Sequence, residues 1–248
     1  MRHIRATIRL ICFVAMTIIV YLIWMIGALL IPNRQFWRQI IFRFWARAFL
    51  VISGMRVEII GTPPRPPFLL VSNHLGYIDV AAFRAVLDTV FVAKSDIRNW
   101  FLAGWIVRDM GTIFINRRNR RDIPRAGKEI VSKLEDGEGV VIFPEGTSTK
   151  GEEVLPFNSS LLEFAARRGL PVFYASITYR TPSDAPSPSE VICWWDDTVF
   201  LEHLWRLLSL KEFTAVINFG EEPINRSDRK ELAHELREKV KEKFIPVI

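Results

Sequence analysis

Aspartate and glutamate are missing from residues 1–56, a stretch that holds eight arginines. Residues 57–248 carry 25 Lys and Arg against all 27 Asp and Glu of the chain, so the net charge of +6 arises at the N-terminus. A nucleic-acid binder would spread its cations over a soluble face. Arginines set beside the most apolar residues instead suit an anionic lipid surface. Cysteine is also scarce. Cys12 and Cys193 lie some 180 positions apart, and neither has a neighbour at metal-ligand spacing. That excludes a disulfide framework and a cysteine metal cluster, and implies a reducing compartment for the catalytic part. No G-x-S-x-G elbow is present, so a serine acyl-enzyme of that type is excluded. Internal repeats and low-complexity tracts are missing as well.

Half of the residues are hydrophobic. Residues 10–32, "LICFVAMTIIVYLIWMIGALLIP", contain no charge and are about long enough as a helix to cross a bilayer. The run is too long for a cleaved signal peptide and no small-residue cleavage site follows it. Residues 36–53 interleave aromatics and aliphatics with Arg38, Arg43 and Arg47, the pattern of a helix at the headgroup boundary. Arginines flank the apolar run on both sides, so a re-entrant helical hairpin and a single span both remain open. The proline-rich "GTPPRPPF", 61–68, is a hinge that no helix crosses. The expected division is therefore a membrane anchor over 1–60 and a second domain over 61–248. Buried-strand candidates are 68–72, 90–93, 112–115, 140–143, 172–179, 191–194 and 215–219, with helices between them, notably 123–134 and 159–168. Residues 227–244 read as an exposed, charge-rich terminal helix. Strands alternating with helices imply an α/β fold with a mostly parallel sheet flanked by helices, carrying an N-terminal membrane-embedded helical segment.

"VSNHLGYIDV", 71–80, places His74 and Asp79 five positions apart. On a helix these side chains would diverge by roughly 140°, and on a strand they would face opposite ways. They meet only if the chain turns sharply, and Gly76 permits such a turn. The geometry would be a buried strand, a loop carrying His74 and a helix whose first turn holds Asp79. Two readings follow: a carboxylate orienting an imidazole, as in a hydrolase triad, or a helix-capping Asp79 beside a structural His74. Three more strand ends carry polar groups: Lys94 in "FVAKSDIRNW", Arg117 and Arg118 in "GTIFINRR", and Glu145 with Gly146 in "VVIFPEGTST". In open α/β sheets ligands bind at the carboxyl ends of strands. For Arg117 alone, within "NRRNRR", a solvated charge is the commoner case.

"NHLGYID", "GTIFINR", "FPEGTST" and "GLPVFYASI" together resemble the four ordered motifs of the glycerolipid acyltransferases. The chain is most similar to their bacterial 1-acylglycerol-3-phosphate acyltransferase branch, over about residues 68–179. The resemblance implies a membrane-bound O-acyltransferase of phospholipid biosynthesis. It would move a fatty acyl chain from acyl-CoA or acyl-carrier protein to the free hydroxyl of a lysolipid, first of all 1-acylglycerol-3-phosphate, giving phosphatidic acid. It makes His74 the general base and Asp79 its orienting partner. Arg117, Glu145, Gly146 and Thr147 would bind the acceptor, with Lys94 at the edge of that pocket. Partners are thus a lysolipid, an acyl thioester and membrane lipids, with no nucleic acid. Neither a cofactor nor a metal is implied. Thioester donors place the domain on the cytoplasmic side of a bacterial inner membrane.

Two positions depart from the family pattern. Ser148 stands where the third motif usually has a second arginine after Thr, and Asn158 where a lysine commonly follows "PF". Both remove charge that the family aims at a phosphate. Another lysophospholipid or lyso-ornithine lipid is therefore the alternative acceptor. A thioesterase, or a non-catalytic lipid-binding protein on the same fold, is the reading of another kind.

Overall fold

The computed structural model describes residues 2–100, 103–116, 119 and 121–247. The chain opens with two helices, α1 (Arg2–Leu30) and α2 (Arg34–Ser53), joined by a short turn. There follow β1 (Met55–Ile60), β2 (Phe68–Ser72), α3 (Ile78–Val86), β3 (Thr89–Lys94), α4 (Ala103–Asp109), β4 (Ile113–Ile115), α5 (Asp122–Glu135) and β5 (Gly139–Ile142). The remainder is α6 (Glu163–Arg168), β6 (Val172–Arg180), α7 (Pro188–Val191), α8 (Phe200–Ser209), β7 (Phe213–Phe219) and α9 (Arg229–Lys243).

The strands form one sheet in the order β1-β7-β6-β2-β5-β3-β4. β7 runs antiparallel to β6, and the other neighbours pair in parallel. All five residues of β2 and all four of β5 are buried, the uninterrupted apolar pattern of strands covered on both faces. One face packs on α3, α8 and the N-terminal helices through Ala6, Phe49, Phe83 and Leu204. The other packs on α5, α6 and α9 through Ile130, Ala165 and Leu236. The architecture is thus α/β, with helices on both sides of a mostly parallel sheet.

The N-terminal helices lie antiparallel as a hairpin. Trp24 meets Phe42 at 5.6 Å between ring centroids and Phe13 meets Phe49 at 5.2 Å, while the Trp45 indole donates to Thr17 Oγ1 at 3.0 Å. Gly27 is needed for this closeness, since a Cβ there would lie 2.2 Å from the Trp37 ring. The outer face of α1 leaves Ile4, Ile8, Ile11, Ile18 and Leu22 exposed. A helix of 29 residues with such a face is fitted to lipid, and the protein is membrane-associated.

Several elements differ from the reading of the sequence. Residues 191–194 form no strand. Pro188 at the start of α7 and the Ser187 cap begin a helical turn instead, and Ile192 and Cys193 are buried beside the loop after β2. β1 comes from ahead of the proline-rich segment and pairs with β7 over six residues, so the sheet takes an edge strand from residues N-terminal to position 61. The terminal helix α9 buries Leu232, Ala233, Leu236 and Val240, and only its other face is solvated. The arginines of α2 turn towards the domain. Arg38 pairs with Glu138, Arg43 with Asp88 at 3.0 Å, and Arg47 donates to the Ala85 carbonyl at 3.1 Å.

Candidate active site

β2 ends at Ser72, and the chain leaves the sheet through Asn73. The Asn73 amide continues the ladder towards β6, donating to Ile177 O at 2.9 Å and accepting from Ile177 N at 2.8 Å. A side chain thus does what a backbone pair would do one residue earlier, and it fixes where His74 emerges. The loop then folds back on Asp79 in the first turn of α3. His74 Nδ1 lies 2.7 Å from Asp79 Oδ2, which also accepts from Leu75 N at 2.7 Å and Gly76 N at 3.1 Å. Gly76 is not in the left-handed region. It makes room for Trp194, whose backbone nitrogen would lie 3.2 Å from a Cβ at that position.

The second carboxyl oxygen of Asp79 accepts from the Tyr179 hydroxyl at 2.7 Å. Asp79 is wholly buried, and these four donors satisfy a carboxyl that water does not reach. With Asp79 accepting at Nδ1, His74 carries its proton there and leaves Nε2 with a lone pair. The imidazole stacks on Phe143, 4.3 Å between centroids and 14° between planes. His74 remains 22 % exposed, so one side of the pair is open to a substrate.

The turn after β5 supplies the opposite wall. Gly146 takes φ +80° and its N–H donates to Phe143 O at 3.2 Å, closing the turn over Pro144 and Glu145. Glu145 Oε1 accepts from His74 N at 3.3 Å. Burial, aided by the Asp79 charge, pushes the Glu145 carboxyl up to about 8, although its hydrogen bond to His74 N pulls the other way. Thr149 N donates to His74 O at 2.9 Å, so this turn grips both backbone groups of His74. Thr147, between them, is exposed.

Of the residues singled out in the sequence, His74, Asp79 and Glu145 are in direct contact, with Gly146 and Thr147 on the same turn. Lys94 ends β3 at the same end of the sheet and is exposed. With β5 between β2 and β3, it stands about two strand spacings, roughly 10 Å, from the His74 loop. Arg117 lies outside the described residues. Asn73, Phe143 and Tyr179 went unread. Tyr179 gave no signal of its own, since the same strand also holds Tyr174, Ser176 and Thr178. At the two departures the side chains serve the protein. Ser148 Oγ donates to Trp194 O, and Asn158 Oδ1 accepts from Ser160 N at 3.1 Å and from Ser160 Oγ at 2.7 Å.

The profile of the family named Acyltransferase matches residues 56–178. A lyso-ornithine lipid O-acyltransferase of Pseudomonas aeruginosa is 33% identical over 207 residues, covering 82% of this chain and 78% of the relative. The chain belongs to the lysolipid acyltransferase family. A 1-acyl-sn-glycerol-3-phosphate acyltransferase of Neisseria meningitidis is 30% identical over 177 residues, covering 70% of this chain and 68% of that one. The crystal structure of the 1-acyl-sn-glycerophosphate (LPA) acyltransferase PlsC from Thermotoga maritima shares the fold. It superposes with a TM-score of 0.69 at 20% identity over 98% of this chain and 97% of its own. The chain is therefore an acyltransferase.

Proposed function

We propose that this acyltransferase moves a fatty acyl group from acyl-CoA or acyl-carrier protein to the free hydroxyl of lyso-ornithine lipid. The observation that carries the reaction is the His74–Asp79 pair, with Nδ1 held and Nε2 without a partner among the described residues. Nε2 takes the hydroxyl proton as the oxygen attacks the thioester carbonyl. The C–S bond breaks as the tetrahedral intermediate collapses, and the imidazolium returns the proton to the leaving thiolate. Asp79 holds the ring and balances the imidazolium that forms between these steps. No step uses a metal, so chelator should leave the rate unchanged.

The acceptor is argued from Ser148 and Asn158. Their side chains are engaged within the protein and add no charge, which supports a headgroup without phosphate. The Pseudomonas relative, named for lyso-ornithine lipid, also matches more of this chain than the Neisseria one does. The second reading is 1-acylglycerol-3-phosphate, favoured by Lys94 at the same end of the sheet. Purified protein given one labelled donor should turn over lyso-ornithine lipid at least about 10-fold faster than 1-acylglycerol-3-phosphate, the scale of one charge-assisted contact. The reverse preference would move the assignment to the second reading. His74→Ala should lower either rate by about 10²- to 10⁴-fold, the usual share of a general base. Because acyl thioesters are cytoplasmic, the proposal sets the domain on the cytoplasmic face of a bacterial inner membrane.

A further inference from the structure

From the end of α9 the chain runs on as an irregular segment tied to β6. Lys243 O accepts from Ser176 Oγ at 2.9 Å and Ile245 O from Thr178 Oγ1 at 3.0 Å, two side chains on one face of that strand. Ile245 is 51% exposed, yet Val247, two positions on, is only 4% exposed and joins the core that holds Leu75 and Cys193. The fit is close, since a Cβ on Gly151 would lie 2.2 Å from Val247 Cγ2. Burial of this one aliphatic side chain helps to offset the entropy lost in ordering the segment.

Val247 is gripped by the same two segments that grip the His74 loop. On one side its N–H donates to Gly151 O at 2.9 Å, and Gly151 N donates to Thr149 Oγ1 at 3.3 Å. Thr149 N donates in turn to His74 O at 2.9 Å. On the other side Ser187 Oγ donates to Val247 O at 2.8 Å, and Ser187 caps α7. α7 leads to Trp194, whose N–H donates to Leu75 O at 2.8 Å. These contacts close a ring from His74 through the turn after β5 to Val247, and back through α7 to Leu75. Ser148 joins the two segments once more at Trp194, so Val247 is their second tie, and a buried one.

We propose that Val247 is a positioning residue for acyl transfer. It wedges the turn after β5 against the segment 187–194 and so sets where the loop between them presents the His74 imidazole. Val247 touches no reacting atom and acts through Gly151 and Thr149. A displacement of the base by about 1 Å costs as much as 10²-fold in rate, so a distant wedge can govern kcat without contacting substrate. The inference rests on His74 as the base, a reading that His74→Ala tests separately.

The test is an exchange of size in the full chain in detergent, with steady-state rates taken well below every Tm. Gly151→Ala should push the Val247 side chain out and lower kcat by about 10- to 100-fold, with KM changed less than about 2-fold. Gly151 has φ +87°, so alanine there also strains the turn directly. The double variant with Val247→Ala removes the struck atom but keeps that strain, and it should regain at least about 5-fold in kcat. Val247→Ala alone should lower kcat by about 3-fold or more. Val240→Ala, buried in α9 on the opposite side of the sheet, should lower Tm comparably and leave kcat unchanged. If Gly151→Ala fails to fold, Val247→Ala against Val240→Ala decides. Wild-type kcat in folded Gly151→Ala, no recovery in the double variant, or equal kcat in Val247→Ala and Val240→Ala would overturn the proposal. None of these results would alter the loss expected for His74→Ala, so the two readings fail separately.

Discussion

Asp79 shows how much of the site rests on single atoms. Its carboxyl is removed from water and accepts from a histidine, two backbone amides and a tyrosine. Tyr179→Phe removes one donor and leaves the imidazole in place, so kcat should fall by roughly 10-fold with KM little changed, about the worth of one buried hydrogen bond. Asp79→Asn should cost more, because its amide oxygen can still accept from Nδ1, Leu75 N and Gly76 N but the charge that balances the imidazolium is lost. Steady-state kinetics on both variants checks the order. Glu145 governs stability. Its carboxyl is raised to about 8 by burial, so between the ordinary glutamate range and pH 8 the folded state binds more protons than the unfolded one. Stability should therefore decline as pH rises through that window, and Glu145→Gln should flatten the decline in thermal melts recorded at several pH values. His74 and Asp79 were legible because their spacing demands a turn. Tyr179 and Asn73 were not, since their roles exist only once β6 lies beside β2, a hundred residues away in the chain.

Among the elements, the strands read best where both faces are buried, as in β2 and β5. The segment 191–194 misled because its buried Ile192 and Cys193 mimic a strand, although their backbone serves a turn and the His74 loop: Trp194 N donates to Leu75 O at 2.8 Å. β1 escaped notice because an edge strand with Arg56 and Glu58 facing out lacks an apolar run. The charge asymmetry of residues 1–56 was visible, but half of its meaning was hidden. Arg9 donates to the carbonyls of Ser53, Leu210 and Lys211 at 2.9, 2.6 and 3.1 Å, and Arg5 to that of Ser209 at 3.1 Å. These carbonyls end α2 and α8, where a cation also opposes the helix dipole. Arg9→Ala should remove about 1.5–3 kcal/mol, the worth of hydrogen bonds to a charged donor. At this chain length that lowers Tm by roughly 3–12 °C, measurable by circular dichroism in detergent. Arg9→Lys should restore only part, because an ammonium cannot reach three diverging carbonyls as a guanidinium does.

For the whole molecule, these contacts bear on topology. His3 stacks near Trp205 and Arg5 grips the end of α8, so the start of α1 stands against the catalytic domain. Single cysteines, His3→Cys and Thr62→Cys, placed in a Cys12→Ser, Cys193→Ser background, should respond alike to an impermeant thiol reagent on intact cells. Labelling of position 3 but not 62 from outside would establish a single span and rule out the hairpin. The same clasp has a consequence in time. The carbonyls that receive Arg9 at the end of α8 are made some 200 residues after it, and β1 waits about 160 residues for β7. At ordinary rates of synthesis that is roughly 10–40 s. Through that interval the face of α1 that meets α8 lacks its partner, although α2 already has Ala85, Asp88 and Glu138 to meet, and the bilayer is the surface at hand to shelter the apolar face. The hairpin can thus reach the membrane before the sheet is complete, and β7 is the strand that at last joins β1 to the rest.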